Sequence, residues 1–222
     1  MSAPINALLQ QLSAHFNCAV APGWGNTAAD IVFVADAPGK REIETGEPFS
    51  GVSGRFFDEL LASIALPRDE IYLTNVVKFR PQGRDPNRQE IAACRGLLQA
   101  ELQAVRPRIV VTLGRIGLNE FLPLMKISQV HGQDFRLQAH GLYFTLFPLY
   151  HPAAAMHNGK MRPLLKADFL KLGAWLAQNL PHGKGREAVG KIAATAICAQ
   201  YDAAQADACK GRLQSLYTNP KK

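Results

Sequence analysis

Residues 33–51 read FVADAPGKREIETGEPFSG. A run of core-type residues ends at Asp36 and gives way at once to Ala37, Pro38 and Gly39, then to mixed charges, then to a second glycine-flanked turn around Phe49. A buried strand that stops in a Pro-Gly turn presents backbone N–H groups to whatever lies beyond it, because buried backbone donors need partners.

Three other stretches share the character of this run. Residues 30–36 (DIVFVAD), 71–77 (IYLTNVV), 108–113 (RIVVTL) and 142–150 (LYFTLFPLY) are short, β-branched or aromatic, and bounded by glycine, proline or polar residues. They read as mostly buried strands. Helical patterns lie between them. Phe56, Phe57, Leu60, Leu61 and Ile64 keep one apolar face, and Asn87 with Glu90 forms an Asn variant of the capping box, opening a helix that runs toward Pro107. A shorter helix is expected after Gly114 and another over about 163 to 180. Strands alternating with helices predict an α/β fold whose mostly parallel sheet is covered on both faces, with ligands bound beyond the carboxyl ends of the strands. The loops after Val34, Val77 and Tyr150 then converge on one edge.

The 222 residues suit one domain over residues 1–180, with residues 181–222 as a C-terminal appendage, part helical and part frayed. Hydrophobic residues make up 47% and charged residues 19%, which fits a packed globular chain and excludes a disordered one. A net charge of +7 favours an anionic partner such as nucleic acid or a phosphorylated ligand. No stretch has the length of a membrane helix or the pattern of a secretory leader, so a cytoplasmic protein that binds no membrane is expected. Cys18, Cys94, Cys198 and Cys209 contain no CxxC pair, which signals neither zinc nor a disulfide framework.

At the shared edge the three loops bring Asp36, the Ala37-Pro38-Gly39 backbone and Phe49; then Asn75; then His151 and Pro152. An aromatic face, an amide that both donates and accepts, and an imidazole are the parts of a nucleobase pocket. The segments that carry them are ADAPGKREIETGEPFSGVSG (35–54), TNVVKFRPQGRDP (74–86), IAAC (91–94), PRIVVTLGR (107–115) and YHPAA (150–154). In this order and spacing they resemble the uracil-DNA glycosylase superfamily, most nearly its family-four type, over roughly residues 23–178.

The resemblance implies a three-layer α/β/α sandwich around a short, mostly parallel sheet, and hydrolysis of the N-glycosidic bond of deoxyuridine flipped out of single- or double-stranded DNA by a monomeric enzyme. It implies that Phe49 stacks on the base and that His151 reaches uracil O2, where charge collects as the base departs. The Asn75 amide would accept from N3–H and donate to O4. Cytosine presents the reverse pattern, so the same amide selects uracil. Asp36 stands where family four has Glu and is, with His151, a candidate catalytic residue, its alternative role being to brace the loop through backbone N–H groups; Ala37 stands where family one has a water-activating Asp. Glu42 falls beside the base's C5, where it would exclude thymine. In the third loop Met156 is the candidate wedge into the duplex, with Lys160 and Arg162 contacting phosphates.

The chain departs from family four in its iron-sulfur ligands. Phe79 occupies the position of the third cysteine, Cys94 keeps the fourth, and the N-terminal region offers Cys18 alone. Such clusters need a full set of soft ligands, so a cluster-free, cofactor-free member is expected. Other readings are a glycosylase for hypoxanthine or xanthine, a damaged-DNA-binding protein that does not cut, and a phosphate-binding enzyme built on the Pro-Gly loop. The last lacks any Walker or dinucleotide fingerprint.

Overall fold

Alternation within the first buried strand sets the layers. Ile31, Phe33 and Ala35 enter one core while Val32 and Val34 enter the other, so the strand is buried on both faces. The computed structural model describes residues 3–180; the expected appendage, with Cys198 and Cys209, lies outside the described residues.

In chain order the elements are α1 (Ala3–Phe16), β1 (Trp24–Gly25), β2 (Ile31–Ala35), α2 (Lys40–Thr45), α3 (Val52–Ser63), β3 (Ile71–Asn75), α4 (Arg88–Val105), β4 (Ile109–Leu113), α5 (Arg115–Phe121), α6 (Ile127–Val130), β5 (Phe135–Ala139), β6 (Leu142–Leu149), α7 (Ala154–His157) and α8 (Met161–Asn179). The sheet order is β1-β3-β2-β4-β6-β5. The inner four strands are parallel, and the outer strands β1 and β5 run antiparallel to their neighbours. Residues from α1, α4, α5 and α6 share one core with Val32, Val34, Val110 and Leu146; residues from α3 and α8 share the other with Phe33, Leu73, Val111 and Phe147. These are the three layers expected from the sequence.

The cores are aromatic where α3 meets α8. Phe57 packs edge-on against Phe33 at 5.3 Å and against Phe169 at 6.2 Å, and burying each such ring contributes roughly 1.5–3 kcal/mol. At the other layer the predicted capping box is present. Glu90 donates its N–H to Asn87 Oδ1 at 3.0 Å, Asn87 returns its own to Glu90 Oε2 at 2.7 Å, and Arg84 grips the same carboxylate.

Six elements exceed the sequence reading, among them the single-turn helices α6 and α7. Helix α1 carries Ile5, Leu9 and Leu12 into the α4 side of the core. Helix α2 forms inside the charged stretch that reads as a loop, ending at Gly46 with φ 71. Strand β1 is only two residues long. Strand β5 joins β6 through His140 and Gly141, whose φ values of 53 and 75 are those a tight primed hairpin turn requires.

Candidate active site

Strands β2 and β4 are neighbours, yet β2 connects onward to β3 on one side and β4 to β6 on the other. That reversal opens a crevice beyond their carboxyl ends. The Pro-Gly turn after β2, the end of β3 and the loop after β6 all lie on this edge.

Phe49 is buried, 5% exposed, and its backbone sits in the left-handed region at φ 58. A bulky residue there is an outlier, and such strain persists only where surrounding contacts impose it. One face of its ring stacks on Phe57 at 4.4 Å and 24°. The His151 imidazole lies nearly parallel to it at 5.8 Å and 23°. The first and third loops therefore meet, as their sequences predict.

Asp36 and Glu42 serve the first loop from within. Gly117 donates its N–H to Asp36 Oδ1 at 2.8 Å, so the carboxylate closes onto the first turn of α5. Burial raises its pKa to about 6, against the N–H groups of Gly117 and Ile116, which lower it. Among the described residues this contact ties the first loop to α5. Glu42 turns back on its own helix, accepting the Gly39 N–H at 3.1 Å. Burial raises its pKa, opposed by the backbone N–H groups of Gly39 and Phe49 and by Arg68. Because Gly39 is taken and Pro38 has no N–H, Ala37 supplies the amide of this turn that has no partner among the described residues.

Asn75 closes β3 and is 3% exposed. Among the described residues its side-chain amide takes no hydrogen-bond partner, and neither amide atom is among the fully buried ones left unsatisfied, so the group keeps access to solvent at the strand's end and is free to meet a ligand there. The residue before it is pinned from below. Thr74 donates its hydroxyl to Glu101 Oε2 at 2.6 Å, Lys78 Nζ bonds both, and Glu101 Oε1 accepts the Gly23 N–H at 2.9 Å. Lys78 and Glu101 are fully buried, and sequence reasoning missed the pair. Their separation of 23 residues left no local signal.

His151 is partly buried, and desolvation lowers its pKa to about 4, so the ring is neutral at physiological pH. Its Nδ1 accepts the Ala153 N–H at 3.1 Å. An accepting Nδ1 carries no proton, which places the proton on Nε2 and makes that nitrogen a donor.

The family model described as "Uracil DNA glycosylase superfamily" matches residues 22–175. The chain belongs to the uracil-DNA glycosylase superfamily. A protein of Archaeoglobus fulgidus named type-4 uracil-DNA glycosylase is 40% identical over 166 residues, covering 72% of this chain and 83% of the relative. One of the same name from Saccharolobus solfataricus is 39% identical over 68% of this chain and 73% of its own. A third, from Thermotoga maritima, is 33% identical over 72% and 84%.

Set among uracil-DNA glycosylases, two regions of this member stand out. Phe79, at the third cluster-ligand position of the resemblance, is 4% exposed and its ring packs on Phe16 at 4.4 Å. Both rings share a core with Cys18 and Cys94. Two thiols and two phenyl rings are not the donor set of an iron-sulfur cluster, and the described residues at this place do not supply one. In the third loop Met156 is 37% exposed and Lys160 is exposed, whereas Arg162 lays its guanidinium over the Phe56 ring at 4.4 Å. Among the described residues no helix is long and apolar enough to cross a membrane.

Proposed function

We propose that the protein removes uracil from DNA by hydrolysing the bond between uracil N1 and the deoxyribose C1′, leaving an abasic site. The observation that carries this reading is the neutral His151 ring standing parallel to Phe49 with Nε2 as its donor. The names of the relatives and the unpartnered Asn75 amide support it.

In this mechanism the flipped base slides onto Phe49, which Phe57 backs from behind, and Asn75 reads N3–H and O4. As the C1′–N1 bond breaks, its electron pair moves into the uracil ring and onto O2. The His151 Nε2–H and the Ala37 N–H stabilise that charge without needing to reorganise. Water adds to the sugar cation and releases a proton to solvent. Asp36 is occupied by α5, so leaving-group stabilisation carries most of the rate. Met156 wedges the duplex while Lys160 and the exposed edge of Arg162 meet phosphates, with Arg162 held by its contact with Phe56. The enzyme works as a cytoplasmic monomer without an iron-sulfur cluster.

The test is a glycosylase assay on uracil-containing single- and double-stranded oligonucleotides. Alkali-labile sites should form with the intact protein, and His151→Ala and Asn75→Ala should each suppress them. Salt-sensitive binding without strand cleavage after alkali would instead identify a protein that holds damaged DNA, and cleavage confined to hypoxanthine or xanthine would reassign the substrate.

A further inference from the structure

Phe49 keeps a strained backbone, and one side chain outside its own loop accounts for how. Arg68 opens the short 3-10 turn Arg68–Glu70 that leads into β3. Its Nη1 donates to the Pro48 carbonyl at 3.0 Å and its Nη2 to the Phe49 carbonyl at 3.2 Å, while Nε donates to Asp58 Oδ1 at 2.6 Å. The guanidinium carbon also lies 5.8 Å from the centroid of Phe57, the ring on which Phe49 rests. Two successive carbonyls are thus fixed by one planar fork, and the fork is itself fixed by a carboxylate from α3. Two parallel N–H groups impose a direction on a peptide that a single ammonium cannot.

Helix α3 closes the arrangement from the other side. A Cβ on Gly54 would stand 1.6 Å from the Phe49 carbonyl oxygen, so that oxygen is confined between the helix and the guanidinium. Released from this grip, Phe49 would relax toward an ordinary backbone region and carry its ring off the line it shares with His151.

We propose that Arg68 is the positioning residue of the base-stacking ring, holding Phe49 over the crevice before a base arrives. The proposal rests on the reading of Phe49 as the stacking platform. It assigns Arg68 an effect on uracil binding that acts chiefly through Phe49.

The experiment is a double-mutant cycle with Arg68→Ala, Phe49→Ala and the pair, measured on a uracil-containing oligonucleotide well below each variant's melting temperature, with inhibition by free uracil as a second readout. Arg68→Ala should lower kcat/KM on the order of 10- to 100-fold, the range of one lost stacking contact, and weaken inhibition by free uracil by a similar factor. The pair should be no worse than Phe49→Ala alone. Arg68→Lys should recover little of the loss, and Asp58→Asn, which leaves both carbonyl contacts available, should lose less. The latter two variants carry the test if Arg68→Ala does not fold. Losses that multiply in the pair, or unchanged uracil inhibition in Arg68→Ala, would overturn the proposal while leaving the stacking role of Phe49 intact. A Phe49→Ala enzyme of full activity would remove the stacking reading and the proposal with it.

Discussion

His151 shows how one residue is tuned by a contact two positions away. The Ala153 N–H fixes its tautomer, and burial keeps it neutral down to about pH 4. Replacing it by alanine should cost about 10²- to 10³-fold in turnover, with KM little changed, as for other lost oxyanion donors. Its folded pKa lies below its ordinary 6.5, so its contribution to stability is present above about pH 6.5 and is lost as pH falls toward 4. Asp36 works in the opposite sense. Its folded pKa of about 6 lies above the ordinary 3.8, so its contribution is present below about pH 3.8 and is lost as pH rises through 6. Asp36→Asn retains an acceptor for Gly117 and removes the buried charge. Its stability relative to the parent should therefore rise between pH 4 and pH 7, by up to about 3 kcal/mol at roughly 1.4 kcal/mol per pKa unit. Denaturant midpoints at the two pH values measure this, and a constant difference would deny the charge burial.

At the scale of the element, α3 and α4 separate stability from function. Glycine inside α3 costs about 1 kcal/mol of helix propensity, yet Gly54→Ala should lower both melting temperature and activity, because the new Cβ meets the Phe49 carbonyl oxygen. Overpacking of that kind costs about 1–3 kcal/mol. Asn87→Ala removes the α4 cap and should cost about 1 kcal/mol with kcat unchanged. Thermal melts and uracil release on the same preparations distinguish the two. The cap was legible because donor and acceptor sit three residues apart. Strand β5 was not, since Phe135 and Leu137 alternate with polar residues over only five positions and pairing with β6 is what orders them.

For the molecule as a whole, the α1–α4 side is consolidated by rings. Phe79→Ala should destabilise by about 3–5 kcal/mol, the usual range for a buried phenyl group, and leave the thiols of Cys18 and Cys94 beside a cavity. Anaerobically purified protein should carry no stoichiometric iron or acid-labile sulfide, and a chelator should leave its melting temperature unchanged. Metal analysis and a melt with and without chelator check both. The buried Lys78–Glu101 pair belongs to the same layer and ties the end of β3 to α4. Removing one partner would strand a charge in the core.

The sequence by itself determined the layers, the parallel strands and the three loops that supply Phe49, Asn75 and His151. Each of those is written in short-range chemistry: runs of β-branched residues, a Pro-Gly stop, an Asn or His at a strand's end. Only the tertiary structure decided what holds them. Asp36 meets a turn 81 residues on, Arg68 reaches back 19 residues to Phe49, and Glu101 finds Thr74 across 27. No local pattern encodes such partners, because a charged side chain buried by a distant segment looks in sequence like any surface charge until the chain has folded around it.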